Sequence, residues 1–160
     1  CESSVPGVYA VGDVNGGPQF TYISLDDFRI VFGALTGNGQ YTLKDRKNIP
    51  YTTFLTPPLA RVGLTEEDAI NKGYTVKTKE MLVATMPRAH VNDYLKGAFK
   101  IVVNADNDLI LGATLYSQGA EELINLIKMA MDNNIPYTYF KNQIFTHPTM
   151  AENLNDLCNF

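Results

Sequence analysis

Two apolar runs joined by a short polar loop constrain the fold of this 160-residue chain more than any other feature. Residues 99–103 and 109–115 are rich in Val, Ile and Leu, whereas residues 104–108 read Asn-Ala-Asp-Asn-Asp, which favours a turn. The pattern predicts an antiparallel β-hairpin. Residues 52–64 and 74–84 are also strand-like, although two prolines interrupt the first of them. We therefore expect a sheet of several strands that includes the hairpin.

Helical patterns accompany these strands. The clearest covers residues 121–131, where two glutamates suit the positive end of a helix and a broad apolar stripe follows. Shorter helices are predicted over 136–144 and 149–157, and another after a capping arrangement at 65–68. Strands mixed with segregated helices predict an α+β domain over residues 46–160, with a largely antiparallel sheet and helices packed against it.

The first 45 residues follow a different pattern and are assigned to a separate domain fragment. A short strand is predicted over 8–11 and a helix over 21–35. Three apolar side chains of this helix recur at helical spacing and would face a core: Leu25, Phe28 and Phe32. We expect them either to pack on another chain or to leave the helix poorly ordered. The polar, turn-forming residues 36–50 mark the domain boundary.

Composition excludes several classes of partner. The net charge of -4 and the pI of about 5.1 give no electrostatic footprint for nucleic acid. No apolar stretch reaches the roughly 18 residues that a membrane helix needs. The two cysteines, Cys1 and Cys158, belong to no CxxC pair, so no metal site is expected, and the low cysteine count fits a reducing, cytoplasmic location.

The first candidate binding segment is the Gly12-Asp13 turn, with the helix that begins near Phe20 and Thr21. A glycine lets the backbone pass close to a ligand, and a carboxylate accepts hydrogen bonds from ligand hydroxyls. The free N–H groups at a helix start would face electron-rich atoms. The alternative is an ordinary β-turn in which Asp13 bonds its own backbone.

The second candidate segment contains His147 and Glu152. Histidine is the natural acid/base group near neutral pH, and a carboxylate on its far ring nitrogen would fix its tautomer. The alternative is structural, because Thr149 and Glu152 have the spacing of a capping box at a helix start. Cys158 could likewise be a mobile redox or metal-relay group, or an ordinary thiol.

Three segments, in this order, resemble the C-terminal part of the flavoprotein disulfide reductases, the class I pyridine nucleotide-disulfide oxidoreductases. They are PGVYAVGDVNGGPQFTYIS at 6–24, PPLARVGLTEEDA at 57–69 and FTHPTMAENL at 145–154. The resemblance covers essentially the whole chain. MPRAH, FKIVV, LGATLYSQGAEELINL and MDNNIPYTYF are most similar to a mercuric-reductase-like branch, which includes a reactive-chlorine-resistance flavoprotein.

The resemblance implies roles for matching residues. Residues 1–45 would be the end of an FAD-binding domain, in which Gly12 and Asp13 form the turn that meets the ribityl chain of FAD. The backbone of Phe20 and Thr21 would face the flavin ring. His147 would be the acid/base group for the other subunit's active site, with Glu152 orienting it. The resemblance also implies a cis His147-Pro148 bond.

The protein implied by this resemblance is an FAD-dependent homodimer that uses NAD(P)H and dimerises through residues 46–160. The Gly-rich nucleotide fingerprints and the redox cysteine pair of the family are not in these residues, and we expect them upstream of Cys1. The chain alone should therefore be inactive and bind neither cofactor.

Two differences between this sequence and the mercuric reductases bear on the class of substrate. The chain lacks the paired C-terminal cysteines associated with mercury handling, and it keeps His147 where mercuric reductases usually depart. This favours a general disulfide or metal-ion reductase. Two other classes stay open, namely a stand-alone, non-catalytic assembly module and a redox sensor that responds through Cys158.

Overall fold

One long helix, α1 (Thr21–Thr36), dominates the smaller of the two units into which the chain divides, Cys1–Lys47. The structure, a computed structural model, describes residues 1–160. α1 confirms the predicted helix and ends at Gly37, whose φ of 78° lies in the left-handed region that favours glycine.

The strand predicted over residues 8–11 is wrong. Tyr9 makes only an isolated bridge with Glu2, and a 3₁₀ turn, Gly12–Asn15, follows. A strand needs a neighbouring strand to take its backbone hydrogen bonds, and this unit contains none. Val8 and Val11 are therefore about half exposed.

The apolar stripe of α1 is not covered by the other residues of its own unit. Leu25, Phe28 and Phe32 are each more than half exposed. The helix is nevertheless regular, and packing of its stripe on another chain stays a prediction. Its buried face consists of Ile23, Asp27 and Ile30.

A five-stranded antiparallel sheet organises the larger unit, Asn48–Phe160. The strand order is β1-β2-β5-β4-β3. β4 and β5 form the predicted hairpin and pair Ile101 with Ala113. This arrangement confirms the predicted α+β class with a largely antiparallel sheet. The strands are β1 (Tyr51–Thr53), β2 (Leu59–Gly63), β3 (Val76–Leu82), β4 (Ala98–Asn104) and β5 (Ile110–Tyr116).

Five helices accompany the sheet, and none of the helices in the chain is both long and apolar enough to cross a membrane. The apolar face of α4 packs on β2 and β5, and Ile124 and Ile127 of this face are fully buried. α2 begins with the predicted capping box, in which Thr65 and Asp68 cap each other's backbone N–H. The helices are α2 (Glu66–Asn71), α3 (Pro87–Val91), α4 (Ala120–Asp132), α5 (Tyr137–Asn142) and α6 (Asn153–Leu157).

The last helix, α6, is shorter than the prediction over 149–157. Residues 150–152 form a bend and a turn, and the helix begins only at Asn153. Thr149 and Glu152 do bond each other, as the capping pattern predicts, but they close a turn that precedes the helix. The predicted helix over 136–144 likewise ends early, because Gln143 is extended.

Candidate functional site

His147 and Glu152 form a hydrogen-bonded pair in the turns before α6. Nδ1 of His147 lies 2.7 Å from Oε2 of Glu152. The imidazole is 68% exposed, whereas the Glu152 side chain is only 18% exposed. The carboxylate is therefore held by the protein, and the ring that it orients faces outward.

This contact fixes the proton of the neutral imidazole. An ionised carboxylate only accepts hydrogen bonds, so Nδ1 must be the donor and carry the proton. Nε2 is then left with a free lone pair, and no hydrogen bond within the chain involves it. Such a nitrogen can take a proton from a group outside this chain and return it.

The structural and the chemical roles of Glu152 coexist. Its second oxygen, Oε1, accepts the backbone N–H of Thr149 at 3.1 Å, and Thr149 Oγ1 accepts the N–H of Glu152 at 3.2 Å. The carboxylate thus has one oxygen for the turn and one for His147. The predicted cis peptide bond between His147 and Pro148 is confirmed.

The Gly12-Asp13 turn lies in the other unit, in the 3₁₀ turn before α1. Gly12 has a φ of 72°, which other residues rarely adopt, and an added Cβ would lie 3.0 Å from Oγ of Ser24. The backbone therefore runs tightly against α1. The Asp13 carboxylate is exposed and makes no hydrogen bond within the chain, so it does not bond its own backbone.

Phe20 and Thr21 mark the beginning of α1. Phe20 is the extended residue that precedes the helix, and its ring stacks on Tyr22 with centroids 5.1 Å apart. Thr21 is the first helical residue, so its N–H has no acceptor in a preceding helical turn. The exposed Asp13 carboxylate can accept hydrogen bonds from ligand hydroxyls, whereas the Phe20 N–H already donates to the Pro18 carbonyl at 3.1 Å.

Sequence reasoning missed Asp27 and Arg46. Asp27 is fully buried on α1, and it accepts the Gly12 N–H at 2.8 Å and the Asn15 side-chain amide at 2.7 Å. Arg46 bonds both Asp27 and Asp26. The adjacent acids and the basic run at 44–47 were visible in the sequence, but their pairing spans 19 residues.

Cys158 is fully buried in the core of the larger unit. Burial raises the pKa of its thiol to about 12, although the charge of Lys79 opposes this. Because the thiolate is the reactive form, the geometry favours an ordinary thiol over a redox sensor. No group of three or more His, Cys, Asp or Glu side chains is arranged to hold a metal ion.

Comparison with known sequences gives consistent matches. Residues 49–158 match the family described as the pyridine nucleotide-disulphide oxidoreductase dimerisation domain. The chain is 48% identical over 155 residues to the probable pyridine nucleotide-disulfide oxidoreductase RclA of Escherichia coli K12, covering 97% of this chain and 35% of RclA. It is 36% identical to a Staphylococcus aureus mercuric reductase, covering 92% of this chain and 27% of the relative.

A solved structure matches closely as well. The HOCl-induced flavoprotein disulfide reductase RclA from Escherichia coli superposes with a TM-score of 0.93 at 48% identity, over 97% of this chain and 36% of RclA. The chain therefore spans about a third of the length of the proteins that it matches.

Proposed function

Because this chain belongs to the pyridine nucleotide-disulphide oxidoreductases and carries their dimerisation domain, we propose that it is the C-terminal part of an FAD-dependent NAD(P)H:disulfide, or metal-ion, oxidoreductase. Residues 46–160 form the homodimer contact. His147 is the acid/base group for the partner subunit's active site, and Glu152 orients it. Residues 1–45 complete the FAD-binding domain.

The observation that carries this proposal is the His147–Glu152 pair. The Glu152 carboxylate, which is only 18% exposed, fixes the imidazole proton on Nδ1, and the ring is two-thirds exposed with Nε2 free. His147 therefore offers a base to a group outside this chain, which suits proton transfer to and from a thiol.

The turn of the smaller unit supports the flavin part of the proposal. Asp13 would accept hydrogen bonds from the ribityl hydroxyls, close to the tightly packed Gly12, and the start of α1 at Phe20 and Thr21 would face the flavin ring. When bound, FAD supplies the route for electrons from NAD(P)H to a disulfide. A cytoplasmic location is part of the proposal, and the two free cysteines fit it.

The test compares the two histidines of the chain in the full-length protein. His147→Gln should lower the rate of the thiol-disulfide step roughly 10²- to 10⁴-fold, because the proton acceptor is lost. Reduction of the flavin by NAD(P)H should be unchanged. His90→Gln is the matched control, since the His90 side chain, in α3, bonds only the backbone carbonyl of Ala84. Equal rates for the two variants would contradict the proposal.

The flavin itself separates this enzyme from the alternative, a stand-alone assembly module. The full-length protein should purify yellow and oxidise NAD(P)H, whereas residues 1–160 alone should do neither, because no redox cysteine pair and no Gly-rich fingerprint lie within them. A full-length protein without flavin would favour the assembly module, and the roles of Asp13 and His147 would be withdrawn.

A further inference from the structure

A carboxylate is buried in the middle of α1, on the face that is otherwise apolar. Asp27 is 0% exposed, and it lies between Ile23 and Ile30 at helical spacing. A buried carboxylate is costly unless every oxygen is paired, so its position calls for an explanation beyond helix formation.

The partners of Asp27 hold the turn that contains Asp13. A single oxygen, Oδ2, accepts the N–H of Gly12 at 2.8 Å and the side-chain amide of Asn15 at 2.7 Å. Gly12 and Asn15 are the first and last residues of the 3₁₀ turn. Both ends of the turn are therefore tied to one atom of α1, and Asp13 lies between them.

Arg46 keeps this carboxylate charged. Its guanidinium bonds Oδ1 of Asp27 through one nitrogen and Oδ2 of Asp26, at 2.6 Å, through Nε. Burial raises the pKa of Asp27, but the hydrogen bonds from Arg46 and Gly12 outweigh it, and the pKa lies below its usual value. A charged acceptor makes the stronger hydrogen bonds to the turn.

We infer that Asp27, held by Arg46, is a positioning residue that prearranges the Gly12–Asn15 turn so that the Asp13 carboxylate is free to receive the ribityl chain of FAD. This inference rests on the proposed function, because it assigns the ligand of Asp13 from there. The Asp27 carboxylate accepts the hydrogen bonds that hold the turn. The Asp13 carboxylate is not needed for that purpose, and both of its oxygens can accept hydrogen bonds from the ligand. A turn that is fixed before binding loses less conformational freedom when the ligand arrives.

The test measures FAD binding to the apoprotein of the full-length enzyme. Asp27→Asn should raise the dissociation constant roughly ten- to hundredfold, because an ionic acceptor of the Gly12 N–H is lost. Hydrogen exchange at the Gly12 amide of the apoprotein should accelerate. Asp26→Asn is the matched control, since Asp26 shares Arg46 but does not touch the turn. It should change the dissociation constant by less than about threefold and leave Gly12 exchange unaltered.

Asp13→Ala separates the two proposals. If Asp13→Ala leaves FAD binding unchanged, the flavin role of Asp13 fails, and with it this inference about its ligand. If Asp13→Ala weakens binding but Asp27→Asn does not, or if Asp26→Asn weakens it equally, only the positioning role is overturned.

Arg46→Lys decides the matter should Asp27→Asn not fold. Lysine keeps the positive charge but cannot present two nitrogens to both aspartates. Weaker FAD binding with an unchanged melting temperature of the apoprotein supports positioning. A lower melting temperature with unchanged FAD binding shows that the pair serves only stability, and overturns the inference.

Discussion

Each of the two units of the chain buries a titratable side chain, but the two side chains are in different charge states. Cys1–Lys47 buries Asp27 as a carboxylate paired with Arg46, and the pKa of that carboxyl is lowered. Asn48–Phe160 buries Cys158 as a neutral thiol whose pKa rises to about 12. The smaller unit is thus organised around a buried ion pair, and the larger unit around an apolar core.

The difference reflects how much apolar surface each unit can cover by itself. The larger unit has a sheet whose inner face lies against α4, so its apolar side chains form a continuous core. The smaller unit has one helix and leaves Phe28 and Phe32 each 56% exposed. A short segment with one helix has little apolar surface to bury, and specific polar contacts define its shape instead.

The largest effect is expected in the core of the larger unit. Ile127→Ala should lower the free energy of unfolding by about 2–5 kcal/mol, because a fully buried side chain leaves a cavity between α4 and the sheet. Urea unfolding with a probe in that unit measures this. Ile127→Val is the matched control and should cost about 0.5–1.5 kcal/mol. Equal losses for the two variants would show that the core is loosely packed.

Alkaline pH should weaken the larger unit. The pKa of Cys158 is raised in the folded state, so the folded protein keeps a proton that the unfolded chain releases. Stability should therefore fall as pH rises from about 9 towards 12, by up to about 1.4 kcal/mol per pH unit from this group. Cys158→Ala should flatten that slope. Rapid alkylation of Cys158 in the native protein at pH 8 would contradict its burial.

Acid pH should loosen the smaller unit first. Because the pKa of Asp27 is lowered on folding, its contribution to stability is complete above its usual pKa and is lost as pH falls through the folded value. The Gly12 amide should lose hydrogen-exchange protection below about pH 4, while amides of β4 and β5 stay protected. If the amides of both units lost protection at the same pH, the charge of Asp27 would not be what determines the acid stability of the smaller unit.

The smallest effect is expected on the exposed stripe of α1. Phe28→Ser in residues 1–160 should change stability by less than about 0.5 kcal/mol, because the ring is already more than half exposed. The same change in the full-length protein should cost more if other residues cover this stripe. Thermal unfolding of both forms measures the contrast, and identical shifts would show that nothing covers it.

The sequence predicted the larger unit well because its signals are local. Alternating and periodic apolar residues define the β4–β5 hairpin and α4 within a few positions. Sequence-based prediction failed where a feature depends on a residue far along the chain. The burial of Asp27 is an example, since it depends on Arg46, 19 residues away. The early start predicted for α6 has a different cause, because the Thr149–Glu152 pattern is identical whether it opens a helix or closes a turn.

The two oxygens of Glu152 make this position sensitive to the exchange of a single atom. If glutamine stood here and its oxygen kept the Thr149 N–H, its NH₂ group would face Nδ1 of His147. The neutral ring could accept that hydrogen bond only by moving its own proton to Nε2. The outward nitrogen would then be a donor where it is now an acceptor. Glu152→Gln would preserve the shape of the side chain and the local fold. It would nevertheless change the exposed Nε2 of His147 from a hydrogen-bond acceptor into a hydrogen-bond donor.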